Sequence, residues 1–233
     1  MTTPFSAPSS YWQVSRAPRY SLVLERPLLL FYQVLAVLLA HGTRSVRNGA
    51  DVILQSLFVA VAGSWGPLVF MVCLIGVGVW LVARDLRRGS RLRVSVFCGM
   101  LAEALLLALL FGFLVGGVTS GVLGGLQILA RPAGSDLDRW TRLMLSLGAG
   151  IYEELLFRVL LVGAFAAAAR ALLGAAIFSA FHYIGPYGDR LQLYSFVFRM
   201  VAGLFFSALY LARGFGITAW THALYDVSLL LLQ

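Results

Sequence analysis

No lysine occurs in this chain; all 18 of its basic residues are arginine. Charge of either sign is scarce, at 12% of 233 residues, while 60% are hydrophobic. A soluble globular domain carries about 25% charged residues, so this composition does not describe a water-soluble enzyme. Cysteine is equally sparse. Cys73 and Cys98 lie within or beside apolar runs, with no CxxC or CxxxH neighbourhood to make a zinc site, and both are expected to face lipid or core. No HExxH motif is present. A cleavable leader is not expected, because about 27 polar or mixed residues precede the first apolar run and no A-x-A site follows it. There is no internal repeat, and the only low-complexity tract, 164–171, is a run of small residues suited to close helix packing.

What is abundant is apolar sequence, with a mean hydropathy of +0.87. A span needs roughly 20 apolar residues, so a chain of this length supplies about six to eight crossings and little else. The expected fold class is therefore all-α, a polytopic bundle of about six to eight transmembrane helices. Residues 1–26 read as a mobile N-terminal tail rich in Ser, Thr, Pro and Arg, and 27–233 as a single membrane domain. Clear spans are expected at about 65–83, 94–115, 143–168, 191–212 and 217–232, with a shorter helix at about 172–183. The apolar runs 28–40 and 50–63 are short, leaving a hairpin, a re-entrant pair or interfacial helices as open alternatives. A Gly-rich stretch, 116–125, and an acidic loop, 131–139, are expected to separate the N-terminal half from the C-terminal helices.

The net charge of +8 carries a topology signal rather than a nucleic-acid patch, because the arginines sit between apolar runs. Arg84, Arg87, Arg88, Arg91 and Arg93 make their loop cytoplasmic by the positive-inside rule. Residues 119–140 then fall outside, and Arg170 and Arg213 inside.

The unusual residues lie in the second half. Glu153, Glu154 and Arg158 interrupt an apolar helix, and each charge there costs roughly 2.5–3.5 kcal/mol on insertion scales. Glu154 and Arg158, spaced i, i+4, share a helix face where the guanidinium can offset one carboxylate. Glu153 remains as the uncompensated acid. A carboxylate in a poorly solvated cavity can accept a proton from water and return it, as a general base must. The plainer alternative is an ion pair that holds helices together.

The following helix ends in Phe178 and His182, one turn apart, which sets the imidazole beside an aromatic ring; a His here also suits a simple interfacial position. His41, next to a polar loop, keeps that interfacial reading. The last helix carries His222 and Asp226 at i, i+4, with Trp220 and Tyr225 nearby, and each needs a polar partner inside the bundle.

These three pairs resemble the motifs of the CPBP group of membrane proteases and bacteriocin-processing proteins, over roughly residues 94–232. EExxxR corresponds to Glu153, Glu154 and Arg158, FxxxH to Phe178 and His182, and HxxxN or HxxxD to His222 and Asp226. The resemblance implies a glutamate-type intramembrane protease in which Glu153, with His182, activates water for attack on a peptide carbonyl. His222 and the residue at 226 would steady the oxyanion, with Glu154, Arg158 and Phe178 in support. Neither cofactor nor metal is implied. Asp226 departs from the Asn of well-argued members: it is either protonated or it orients His222, because an ionised carboxylate would repel an oxyanion.

Two other readings remain open on sequence: a metal-dependent membrane protease using the two His with Glu and Asp, and a non-proteolytic transport or bacteriocin-immunity protein. The expected partners are the lipid bilayer and a membrane-anchored peptide or protein substrate, with no nucleic acid. Leader peptides and C-terminal sorting anchors are equally compatible, and the all-Arg basic complement suggests a bacterial cytoplasmic membrane.

Overall fold

A computed structural model describes residues 10–40, 46–87, 92–124, 137–162, 168–184 and 188–232. Among these residues the chain is helical and has no strand. The helices are α1 (Tyr11–Val14), α2 (Pro18–Leu38), α3 (Gly49–Ala62), α4 (Gly66–Leu86), α5 (Val94–Val122), α6 (Arg139–Gly148), α7 (Ala168–Phe181), α8 (Leu193–Arg213) and α9 (Phe215–Leu231). By length and composition, four stretches among the described residues can cross a membrane: Pro18–Leu38, Gly49–Leu86, Val94–Val122 and Leu193–Arg213. α7 and α9 are shorter, at 14 and 17 residues. Side chains such as Val61, Phe113 and Leu232 are almost fully exposed on this apolar hull, as a bilayer solvent permits and water does not.

Several expectations need correction. Within the segment expected as a tail, α1 and the first half of α2 are helical, and Arg19, Ser21 and Glu25 are buried. The stretch is held by residues far along the chain: Ser21 Oγ accepts from Gly216 N at 2.6 Å, and the Leu24 carbonyl from Trp220 Nε1 at 2.7 Å. Arg213 binds Glu103 through Nε at 2.5 Å and Nη2 at 2.7 Å, donates to Ser15 Oγ at 3.0 Å and to the Trp12 carbonyl at 3.2 Å, and lies 4.0 Å from the Trp12 ring. The Gly-rich stretch expected as a separator is helical through Val122, since a lipid-facing helix tolerates glycine when no other backbone bonding is on offer. His41 and the tract 164–167 lie outside the described residues.

The apolar run 28–40 falls mostly in the longer α2, whereas the run 50–63 coincides with α3. α4 runs antiparallel to α3, with Phe58 against Phe70, and antiparallel to α2, with Asp85 beside Arg19 at α2's start. α3 is therefore parallel to α2, yet it begins alongside Tyr32 in the middle of α2, where the Tyr32 hydroxyl accepts from Asn48 N at 3.2 Å and donates to Asp51 at 2.8 Å. This doubling back carries the start of α3 into the interior.

α6 begins on an Asp138 cap that accepts from the Trp140 and Thr141 amides. Beyond Gly148 the helix widens into π turns over Ala149–Glu153 and Leu155–Val162, a local distortion frequently found at functional sites. Two glycines let this segment approach its neighbours. A Cβ on Gly148 would lie 2.5 Å from the Tyr32 ring, and one on Gly150 would lie 2.4 Å from the Ala219 carbonyl of α9. Two apolar clusters flank the segment, one around Tyr32, Phe70 and Tyr152, the other around Phe111, Phe157, Phe178 and Phe206. The glutamates lie between them.

Candidate active site

Adjacent positions on the widened helix send the two glutamates to different neighbours. Glu154 is fully buried and sits 3.2 Å from Arg158 Nη1, the i, i+4 pair expected from spacing. Its Oε1 also takes the Nδ1 of His222 at 2.7 Å, a link between helices that spacing along the chain does not reveal. Arg158 is enclosed by aromatic rings, 4.5 Å from Phe178 and 5.4 Å from Phe206, and Nη2 reaches the Gly203 carbonyl at 3.4 Å. His222 stacks on Phe206 at 4.4 Å. The guanidinium and the second imidazole thus share an aromatic cage that fixes both rotamers.

Glu153 faces the other way. Its Oε1 accepts from Asn48 Nδ2 at 3.0 Å, and its Oε2 is buried without a hydrogen-bond partner, 3.9 Å from His182 Nε2. That separation is too long for a direct hydrogen bond and suits a bridging water. His182 Nδ1 lies 2.9 Å from the Phe178 carbonyl. A carbonyl can only accept, so the hydrogen-bond pattern assigns the proton to Nδ1 and leaves the Nε2 lone pair of the neutral ring facing Glu153. Phe178 packs at 5.0 Å from the His182 ring and 6.2 Å from the His222 ring, so it touches both halves of the site.

Asp226 is less engaged. Its Oδ2 lies 3.7 Å from His222 Nε2, beyond hydrogen-bond length, and its side chain is 29% exposed. Of the two roles left open for it, orienting His222 is already performed by Glu154 at the other ring nitrogen. The structure thus gathers Glu153, Glu154, Arg158, Phe178, His182 and His222 closely, with Asp226 at the margin.

Three residues here escape a reading of the sequence. Asn48 sits in a polar stretch that looks like a connector, and an Asn before an apolar run signals only a helix cap. Phe206 is one of 16 phenylalanines, without any local mark. Arg199 pairs with Asp189 beside the His182 end, where the Asp189 amide donates to the His182 carbonyl at 2.9 Å. Among the described residues no three His, Cys, Asp or Glu side chains are grouped so as to hold a metal ion.

Residues 136–228 match the family model described as type II CAAX prenyl endopeptidase Rce1-like. This agrees with the resemblance carried by the three motifs, all of which fall inside the matched stretch, and it supports a membrane endopeptidase. No curated protein and no solved structure matches the chain.

Proposed function

We propose that this integral membrane protein is a glutamate-type intramembrane endopeptidase acting on membrane-associated peptides or proteins. The observation that carries the reading is the buried, unpartnered Oε2 of Glu153 facing the Nε2 of His182 across 3.9 Å. A water there donates one proton toward the carboxylate and one toward the imidazole, which directs an oxygen lone pair at a peptide carbonyl carbon. As the carbon–oxygen bond forms, Glu153 takes the proton and the carbonyl oxygen becomes an oxyanion. Collapse breaks the carbon–nitrogen bond, and the proton held on Glu153 passes to the leaving nitrogen. No covalent enzyme intermediate is needed.

The oxyanion requires donors. His222 as an imidazolium, with Nδ1–H held by Glu154, has Nε2–H free to donate. Asp226 joins as a carboxylic acid, donating alongside His222; as a carboxylate it would oppose the developing charge. The setting we infer is a bacterial cytoplasmic membrane, with leader peptides or C-terminal anchors as the substrate classes.

The test is co-expression of wild type or Glu153→Gln with a library of membrane-anchored proteins tagged at either end, read by mass spectrometry of their termini. A general base contributes about 10²–10⁴-fold, so the variant is expected to insert and fold normally while new termini disappear. Undiminished cleavage by Glu153→Gln would overturn the mechanism, and the absence of any wild-type-dependent terminus would favour a transport or immunity role.

A further inference from the structure

We propose that Asn48 is a positioning residue for Glu153, supplied by a part of the chain that precedes the matched stretch 136–228. The inference rests on the reading of Glu153 as the water-activating base. Asn48 is buried, and both ends of its amide are committed. Oδ1 accepts from Ala50 N at 2.9 Å as the cap of α3, and because a backbone N–H can only donate, this fixes which end of the amide is oxygen. Nδ2 must then point the other way, where it donates to Glu153 Oε1 at 3.0 Å.

That contact does more than satisfy a polar atom. A carboxylate turning about its last torsion has broad, two-fold freedom, and a donor on one oxygen removes it. With Oε1 held by Asn48, Oε2 is the oxygen that faces His182. Asn48 is itself anchored through its backbone amide to the Tyr32 hydroxyl at 3.2 Å. Tyr32 is in turn tied to Asp51, which also binds Arg47 at 3.0 Å and Gln55 at 2.7 Å. The ring of Phe181, next to His182 in sequence, lies within 2.8 Å of the place a Cβ would occupy on Gly49. The start of α3 therefore braces both partners of the water site.

Capping and positioning are separable by substitution. Asn48→Ser keeps an oxygen that caps α3, but its side chain is too short to reach Glu153; Asn48→Asp keeps the cap and replaces the donor by an acceptor. The first readout needs no substrate. In protein labelled with ¹³C-carboxyl glutamate, the infrared band lost in Glu153→Gln identifies the Glu153 carboxyl group. Asn48→Ser is expected to move that band while leaving the detergent melting temperature near the wild-type value. The second readout uses a membrane-anchored protein found to be cleaved in the co-expression screen: kcat is expected to fall roughly 10- to 100-fold with KM little changed, and Asn48→Asp to fall further.

An unmoved Glu153 band, or wild-type kcat in Asn48→Ser, overturns the proposal. Should Asn48→Ser lower only the melting temperature, with the band and kcat unmoved, Asn48 is a structural residue and the proposal fails. If Glu153→Gln proves active, the base assignment fails, while the infrared band still decides whether Asn48 holds Glu153.

Discussion

Arg158 and Glu154 show what a buried charge requires of its surroundings. Removing one partner of a buried pair leaves the other uncompensated, which costs about 3–5 kcal/mol, so Arg158→Met is expected to unfold at markedly lower denaturant or temperature. Glu154→Gln in the same background is expected to recover part of that loss, and a double-mutant cycle on detergent-solubilised protein measures the coupling. If the two effects simply add, the 3.2 Å pair contributes nothing of its own. Asp226→Asn is a sharper test of mechanism. The amide donates at every pH, so the variant is expected to keep its proteolytic activity and to hold it to higher pH than wild type. A pH–rate profile checks this, and loss of activity across the whole range would show that the carboxyl group has another duty.

At the level of elements, catalysis as proposed depends on how closely the widened helix meets α9. A Cβ on Gly150 would lie 2.4 Å from the Ala219 carbonyl and 3.0 Å from the Ala223 amide, atoms of backbone that cannot turn aside. Gly150→Ala is expected to cost about 1–3 kcal/mol and to separate Glu154 from His222. Gly76→Ala, where nothing lies within 4 Å, is expected to be neutral or slightly stabilising. Thermal melts of the two variants give the comparison. The same distinction explains what could be read from the sequence. Glu154 with Arg158, and Phe178 with His182, are contacts one turn apart, and helix geometry alone predicts them. The bonds from Glu154 to His222 and from Asn48 to Glu153 span 68 and 105 residues, and only the packing of separate helices creates them. Residues 10–26 looked like a tail for a related reason: Ser21 and Leu24 are polar or unremarkable until α9 is alongside.

Across the whole molecule, the N-terminal stretch closes the bundle by clasping Arg213. Arg213→Met removes charged hydrogen bonds worth roughly 1.5–3 kcal/mol each before compensation, and is expected to lower the melting temperature. It should also expose the α1 region, so that limited trypsin digestion cuts sooner after Arg16; an unchanged digestion rate would show that the clasp is decorative. The clasp has a consequence for biosynthesis. Its partners are 198 residues apart for Ser15 and Arg213, 195 for Ser21 and Gly216, and 196 for Leu24 and Trp220. At about 5–20 residues per second, the first helices emerge from the ribosome roughly 10–40 s before the segments that seat them. During that interval Ser15, Ser21 and Leu24 lack the residues that seat them, and Arg19 has its nearer partner Asp85. The early chain is therefore expected to rest near the membrane surface or against insertion machinery until α9 is made, because α9 is what lets α1 and α2 settle.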